Sequence, residues 1–162
     1  MQSPVNHLAV PAPASGTSTS LDTHVRAIMR AGVISVPDDA SVRQVQRALV
    51  AHGVHAVLVV SVQTGEPIGW ATTRGVLEHA LAYAALLPAA LVVTEPVEAI
   101  APSATGEEAL RRMVETGAAR LLVRRHPGSL PEGVVSDMDL IPLDDPDLSE
   151  RITDGRPHAS HA

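Results

Sequence analysis

The sequence has no cysteine, no phenylalanine and no lysine, and one tryptophan and one tyrosine are its only aromatics. Without cysteine there is no disulfide, thiolate nucleophile, iron–sulfur cluster or cysteine-ligated zinc. Without lysine there is no phosphate-loop lysine, Schiff base or pyridoxal-phosphate anchor. All 12 basic residues are therefore arginine, and 18 acidic residues outweigh them to a formal net charge of -6. That balance is the reverse of what a phosphate-backbone binder carries, and the missing aromatics remove base-stacking platforms, so nucleic acid is not an expected partner. The most apolar run, Ala80 to Val93, falls short of the ~20 residues that cross a membrane and contains Pro88. It is expected to form a core or interface helix, with no membrane partner.

Catalytic and metal signatures are also scarce. No Gly-x-Ser-x-Gly, His-Glu-x-x-His or Gly-x-Gly-x-x-Gly occurs, so an enzyme is the least supported class. His52 with His55, and His158 with His161, each lack a matched third ligand, and Asp144-Asp-Pro-Asp147 has neither calcium-loop spacing nor glycine. No metal and no cofactor is expected.

What is present is 45% hydrophobic residues in 162, enough for one ordinary core or two small subdomains built from Ala, Val, Leu, Ile and Met. Residues Met1 to Ser20 are rich in Pro, Ala, Ser and Thr and carry no basic residue. They read as a disordered lead-in rather than a secretory leader, and the protein is expected to be cytoplasmic.

The strongest signal is an internal repeat. At a constant offset of 64 residues Val33 meets Val97, Ala40 meets Ala104, Arg47 meets Arg111, Val50 meets Val114, Gly53 meets Gly117, Val59 meets Val123 and Gly69 meets Gly133. Each copy starts with a short extended stretch, Ile34 to Val36 or Glu98 to Ile100. A helix follows, opened by a capping box: Ser41-x-x-Gln44 in one copy, Thr105-x-x-Glu108 in the other. Val42, Val45, Ala48 and Leu49, and Ala109, Leu110, Met113 and Val114, give these helices a buried face at helical spacing. Gly53 and Gly117 stop them as left-handed residues. Strand formers then run from Val54 to Val60 and from Ala118 to Val123, with hairpin partners at Pro67 to Thr72 and Glu132 to Ser136. Further helices are expected from Thr73 to about Ala82 and from Asp137 to about Ile141. The reading is an α/β (α+β) chain of two β-α-β-β-α units.

These units resemble the tandem cystathionine-β-synthase (CBS) domain pair, or Bateman module. The resemblance rests on Val25-x-x-Ile28-Met29 and its echo Ala89-x-x-Val92-Val93-Thr-Glu-Pro96-Val97. It rests also on the strands after Gly53 and Gly117, and on a closing Gly-h-h-Thr/Ser-x-x-Asp signature. It implies a pseudo-two-fold packing of CBS motif 1 (23–82) against CBS motif 2 (83–143), between a disordered segment (1–22) and a flexible tail (144–162).

The resemblance also implies a site. In the second copy the signature is complete, Gly133-Val-Val-Ser136-Asp-Met-Asp139. In adenosine-binding members the carboxylate at the Asp139 position takes the ribose hydroxyls and the hydroxyl at the Ser136 position lies near the phosphate end. A carboxylate suits two neighbouring O–H donors, since it only accepts. The same two residues also suit a helix cap, and the readings are compatible. In the first copy the signature reads Gly69-Trp-Ala-Thr72-Thr-Arg-Gly75, with glycine in place of the carboxylate. The expectation is therefore one ligand per chain, in the Asp139 cleft, with the Gly75 cleft weak, empty or altered. His55 and Arg120 stand where basic residues of some members reach phosphates, although surface or snorkelling roles fit them equally. Val97, Ile100 and Ala118 are the expected adenine walls, and Trp70 is expected in the core or a subunit interface.

As a whole the resemblance implies a regulatory module that senses AMP, ADP, ATP or S-adenosylmethionine and signals occupancy to a protein partner, expected to stand alone because nothing outside 23–143 is long or apolar enough for a catalytic domain. Such modules pair as homodimers, here through the helices after Thr72 and Ser136 and the run from Leu81 to Leu91. The alternative is a dimerising scaffold without physiological nucleotide binding, for which Gly75 would be the first sign of site loss.

Overall fold

The computed structural model describes residues 21–80 and 86–141. The elements in order are α1 (Val25–Ile28), β1 (Arg30–Ala31), β2 (Ser35–Pro37), α2 (Val42–His52), β3 (Ala56–Val60), β4 (Pro67–Thr72) and α3 (Thr73–Ala80), followed by a 3-10 turn at Ala89–Val92. The second half supplies β5 (Val93–Glu95), β6 (Ala99–Ile100), α4 (Gly106–Thr116), β7 (Arg120–Val123), β8 (Gly133–Ser136) and α5 (Asp137–Leu140).

Both main helices start and stop as their sequences dictate. In α2 the Ser41 hydroxyl accepts from the Gln44 amide at 3.3 Å and the Gln44 side chain accepts from the Ser41 amide at 2.8 Å. In α4 Thr105 and Glu108 repeat this exchange at 3.2 and 2.7 Å. Gly53 and Gly117 end them at φ 60° and 71°, a region that costs any residue with a Cβ.

The strands form two four-stranded sheets, in the orders β2-β3-β4-β5 and β1-β8-β7-β6. Neither sheet belongs to one repeat. The first takes its outer strand β5 from the lead-in of the second repeat, paired with β4 at Trp70 and Glu95. The second takes β1 from the lead-in of the first repeat, with Arg30 opposite Val134 and Ala31 opposite Gly133. The lead-ins also clasp the opposite helix starts. Val25 N–H donates to Ala104 O at 2.7 Å and Gly106 N–H to Thr23 O at 2.9 Å. At the equivalent positions Ala89 N–H donates to Ala40 O at 2.6 Å and Val42 N–H to Leu87 O at 2.8 Å. These bonds satisfy helix-start amides that would otherwise lack partners.

Three apolar clusters result. Val36, Val42, Val45, Leu49, Val57, Val59, Val76 and Val92 pack under α2 and α3. Val25, Ile100, Ala109, Met113, Leu121, Val123, Val135 and Leu140 pack under α4 and α5. Between the sheets lie Leu58, Trp70 and Leu122, flanked by Val33, Ala56, Val60, Val97 and Val134. Trp70 is thus a core residue of the seam.

The run from Ala80 to Val93 departs from its expected helix. Residues 81–85 lie outside those described. Beyond them Pro88 is extended at ψ 147°, one 3-10 turn covers Ala89–Val92, and Val93 begins β5. Proline has no amide to continue a helix and holds the residue before it away from the helical region. The β-branched pair Val92-Val93 then favours a strand.

Gly133 faces β1 so closely that an added Cβ would overlap Arg30 O and meet Met29 Sδ at 2.9 Å. Gly133→Ala is therefore expected to lower stability in urea by about 2 kcal/mol, the scale of overpacking against backbone. A second expectation concerns Glu108, whose carboxyl is held below its ordinary value chiefly by the Thr105 amide that donates to it. A depressed carboxyl contributes stability that is present above the unfolded value near 4.5 and is lost as pH falls through the folded value. Urea titrations across that range should show a shallower acid loss in Glu108→Gln than in the parent.

Candidate functional site

One end of β4 and the start of α3 open onto a cleft of about 440 Å³ lined by His55, Thr72, Thr73, Arg74, Gly75, Glu78, Thr94, Glu95 and Arg120. Its wall is held by local hydrogen bonds. The Thr72 hydroxyl accepts from the Gly75 amide at 3.1 Å and lies 2.9 Å from the Thr94 hydroxyl. The Thr73 amide and hydroxyl both donate to His55 O, at 2.9 and 3.2 Å. A Cβ on Gly75 would come within 2.5 Å of Thr94 Cγ2 and 3.0 Å of Val92 O. On this backbone the position has no room for the carboxylate of the family signature.

The ionisable groups of the cleft are two ion pairs and one histidine, His55. Arg74 pairs with Glu78 at 3.0 Å along α3, mostly in solvent. Arg120 reaches across from β7 to Glu95 on β5 at 3.0 Å, with its guanidinium carbon 5.8 Å from the centre of the Trp70 ring. Its side chain is only 17% exposed. Such a site can offer hydroxyls to a polar ligand and a planar five-donor cation to an anion. The hydroxyls of Thr72 and Thr73 are bonded to another hydroxyl and to backbone groups rather than to a histidine or carboxylate, so neither is set up as an activated nucleophile.

The second half of the pseudo-symmetric pair looks different. Asp139 Oδ2 accepts from the Ser136 amide at 2.8 Å and from the Ser136 hydroxyl at 2.7 Å. Its Oδ1 lies 3.5 Å from Arg30 Nε, whose side chain is 73% exposed while that of Asp139 is 15% exposed. The carboxylate thus caps α5 and meets a cation. At the repeat offset, Arg30 replaces Thr94, Ala31 replaces Glu95, and Ala56 stands for Arg120.

The expected site residues therefore separate. His55, Thr72 and Arg120 converge on the open cleft beside Gly75, and Ser136 and Asp139 meet each other at the start of α5. The three expected adenine walls, named for the Asp139 cleft, are not among the residues that line the cleft beside Gly75. Val97 packs on the seam. Ile100 is buried beneath α4, and Ala118 packs at the edge of the same cluster. The reason for Ile100 is strand alternation, which turns its side chain to the α4 face in register with Val123. Glu95, Thr94 and Arg30 were missed by the sequence reading. Carrying the repeat offset upstream into the lead-ins would have aligned Arg30 with Thr94 and flagged them. Among the described residues no three His, Asp or Glu converge as a metal-ligand set, and no helix is long and apolar enough to cross a membrane.

No curated protein matches the chain. Several solved structures do. One is a CBS domain protein from Pyrobaculum aerophilum complexed with AMP, at 16% identity over 81% of this chain and 98% of that one, with a TM-score of 0.65. Another is the CBS domain of a bacterial CNNM/CorC family Mg2+ transporter in complex with ATP, at 18% identity over 74% and 86%, with a TM-score of 0.64. A third is a CBS-domain containing protein from Agrobacterium tumefaciens, at 19% identity over 72% and 94%, with a TM-score of 0.60. At these identities the likeness establishes the fold. The family model of the CBS domain matches residues 25–82 and again 90–143, the same two stretches whose strands and helices repeat, and the chain accordingly belongs to the CBS domain family as a tandem pair.

Proposed function

We propose that this chain is a cytoplasmic regulatory module in which an adenosine-containing ligand occupies the cleft beside Thr72 and Gly75, rather than the Asp139 cleft expected from the signature, and that a protein partner responds to that occupancy. The observation that carries the reading is the cleft itself. It draws a hydroxyl wall from the first repeat and a shielded arginine from the second, so a ligand there touches both halves. Two structural neighbours are complexes with AMP and with ATP, which supports the ligand class. In this assignment the phosphates lie toward Arg120 and His55. A second, weaker position is assigned to Asp139 and Ser136, where Arg30 must leave the carboxylate before ribose hydroxyls can reach it. Occupancy acts by binding one arrangement of the two repeats better than another.

The partner surface is assigned to the helices. Val50 and Val114 occupy equivalent exposed positions on α2 and α4, and Leu77 and Ile141 are an equivalent exposed pair at α3 and after α5. A pair of matched apolar faces related by a pseudo-two-fold suits a second copy of the chain related by a true two-fold. The same surface would serve the scaffold reading, in which the helices dimerise and the clefts stay empty.

Isothermal titration with AMP, ATP and S-adenosylmethionine tests the ligand. Saturation near one tight ligand per chain is expected, with Arg120→Gln weakening it about tenfold, as for a lost charge-assisted contact, and with Asp139→Asn acting only on a second, weaker phase. Loss of the tight phase in Asp139→Asn alone would move the site to the other cleft. No heat from any ligand, with the fold intact, would leave the scaffold. Sedimentation tests the surface: the parent is expected as a dimer and the Leu77→Glu, Ile141→Glu double variant as a folded monomer. A parent that sediments as a monomer at high concentration would remove the assignment.

A further inference from the structure

The open cleft holds its most enclosed cation already neutralised. Arg120 starts β7 in one sheet and Glu95 ends β5 in the other, and their side chains meet at 3.0 Å beside the cleft. The guanidinium also lies over Trp70, 5.8 Å from the ring centre. Trp70 is 2% exposed and belongs to the seam with Leu58 and Leu122. One group therefore touches the cleft, the counter-charge and the joint between the repeats.

An anion entering the cleft meets a carboxylate at the cation it seeks. Two like charges beside one partly enclosed guanidinium repel more strongly than they would in water, because screening there is incomplete. Glu95 is 37% exposed, so its side chain has solvent to move into when a stronger anion arrives. In the absence of ligand it keeps a largely buried guanidinium from standing unpaired, which would be costly. The other half of the pair has no such device, since the equivalent residues are Ala31 and Ala56.

We propose that Glu95 is an internal counterion that the anionic group of a ligand displaces from Arg120, so that this cleft selects ligands by charge and the displaced pair carries occupancy to Trp70. The inference rests on the nucleotide reading above and adds to it a selection rule. A phosphate-bearing ligand exchanges with Glu95. An uncharged nucleoside leaves the Arg120–Glu95 pair intact and the seam unchanged. Glu95 then acts against the ligand, the opposite of what a contact residue does, and its neutral amide should improve binding.

The test compares AMP with adenosine on the parent and on Glu95→Gln, by calorimetry and by emission of the sole tryptophan, Trp70. The expected result is AMP binding about fivefold tighter in Glu95→Gln, the scale of a partly exposed ion pair, with adenosine affinity unchanged. Trp70 emission should change with AMP and not with adenosine in the parent. AMP binding that is unchanged or weaker in Glu95→Gln overturns the proposal, as does an equal gain for adenosine, which would make Glu95 a steric or direct contact. Adenosine binding that persists alongside either result leaves the nucleotide reading standing. No heat from AMP or adenosine in either protein overturns both.

Discussion

The contact on which the rest of this structure depends is the seam where Leu58, Trp70 and Leu122 bring the two sheets face to face. Leu58 and Leu122 are the same residue of the two repeats, while Trp70 meets Val134 at the repeat offset. The seam is thus symmetric in its leucines and lopsided in its largest member. An indole where the other side has an isopropyl fills one half of the joint with an aromatic face, and that face is where Arg120 rests. The position of the cleft's main cation follows from an asymmetry in core packing. Burying these side chains rewards the folded state through apolar area, and it also fixes which strands are near enough to build a site.

Much of the architecture was legible because its signals are local. A hydroxyl three residues before a glutamine or glutamate, followed by apolar spacing and a glycine, specifies a helix with both ends, and α2 and α4 appear between those marks. The hairpins were equally plain, since β-branched runs flank short polar turns. The lead-in strands were not. Arg30-Ala31 has no strand preference of its own and is extended only because β8 offers it a ladder. Thr94-Glu95 was read only as part of an echo before the strand that became β6, and it also ends a strand of its own, β5. Pairing with a distant partner leaves little trace in the residues that are paired, so tertiary context decided both.

The site was half legible for a related reason. His55, Thr72 and Arg120 lie at positions where the repeat pattern is regular, and they converge. What the pattern could not convey is that β5 would bring Thr94 against Gly75 and Glu95 against Arg120, since those contacts depend on an exchanged strand. The two clefts therefore differ through what the opposite lead-in delivers as well as through their signatures. One receives a threonine and a carboxylate. The other receives an exposed arginine and an alanine, so its own carboxylate is the charge that is met. Together with Gly75 against Asp139 and Arg120 against Ala56, these two adjacent lead-in positions give the half-sites different ion pairs.

The crossed lead-ins also separate the unit of sequence from the unit of folding. Each repeat is a duplicated stretch of chain, yet a chain cut between them would yield halves whose sheets each lack an edge strand and whose main helices, still closed by their own capping boxes, each lose the partner of their first amide. The second sheet closes only when Arg30 finds Val134, near the far end of the described chain. During synthesis it must wait for almost all of that chain to emerge, and distant pairings of this kind slow folding. An unfilled β4 or β8 edge in the interval is a template for the same lead-in of a neighbouring molecule. The exchange that makes one pair coherent is, between two nascent chains, a route to entanglement.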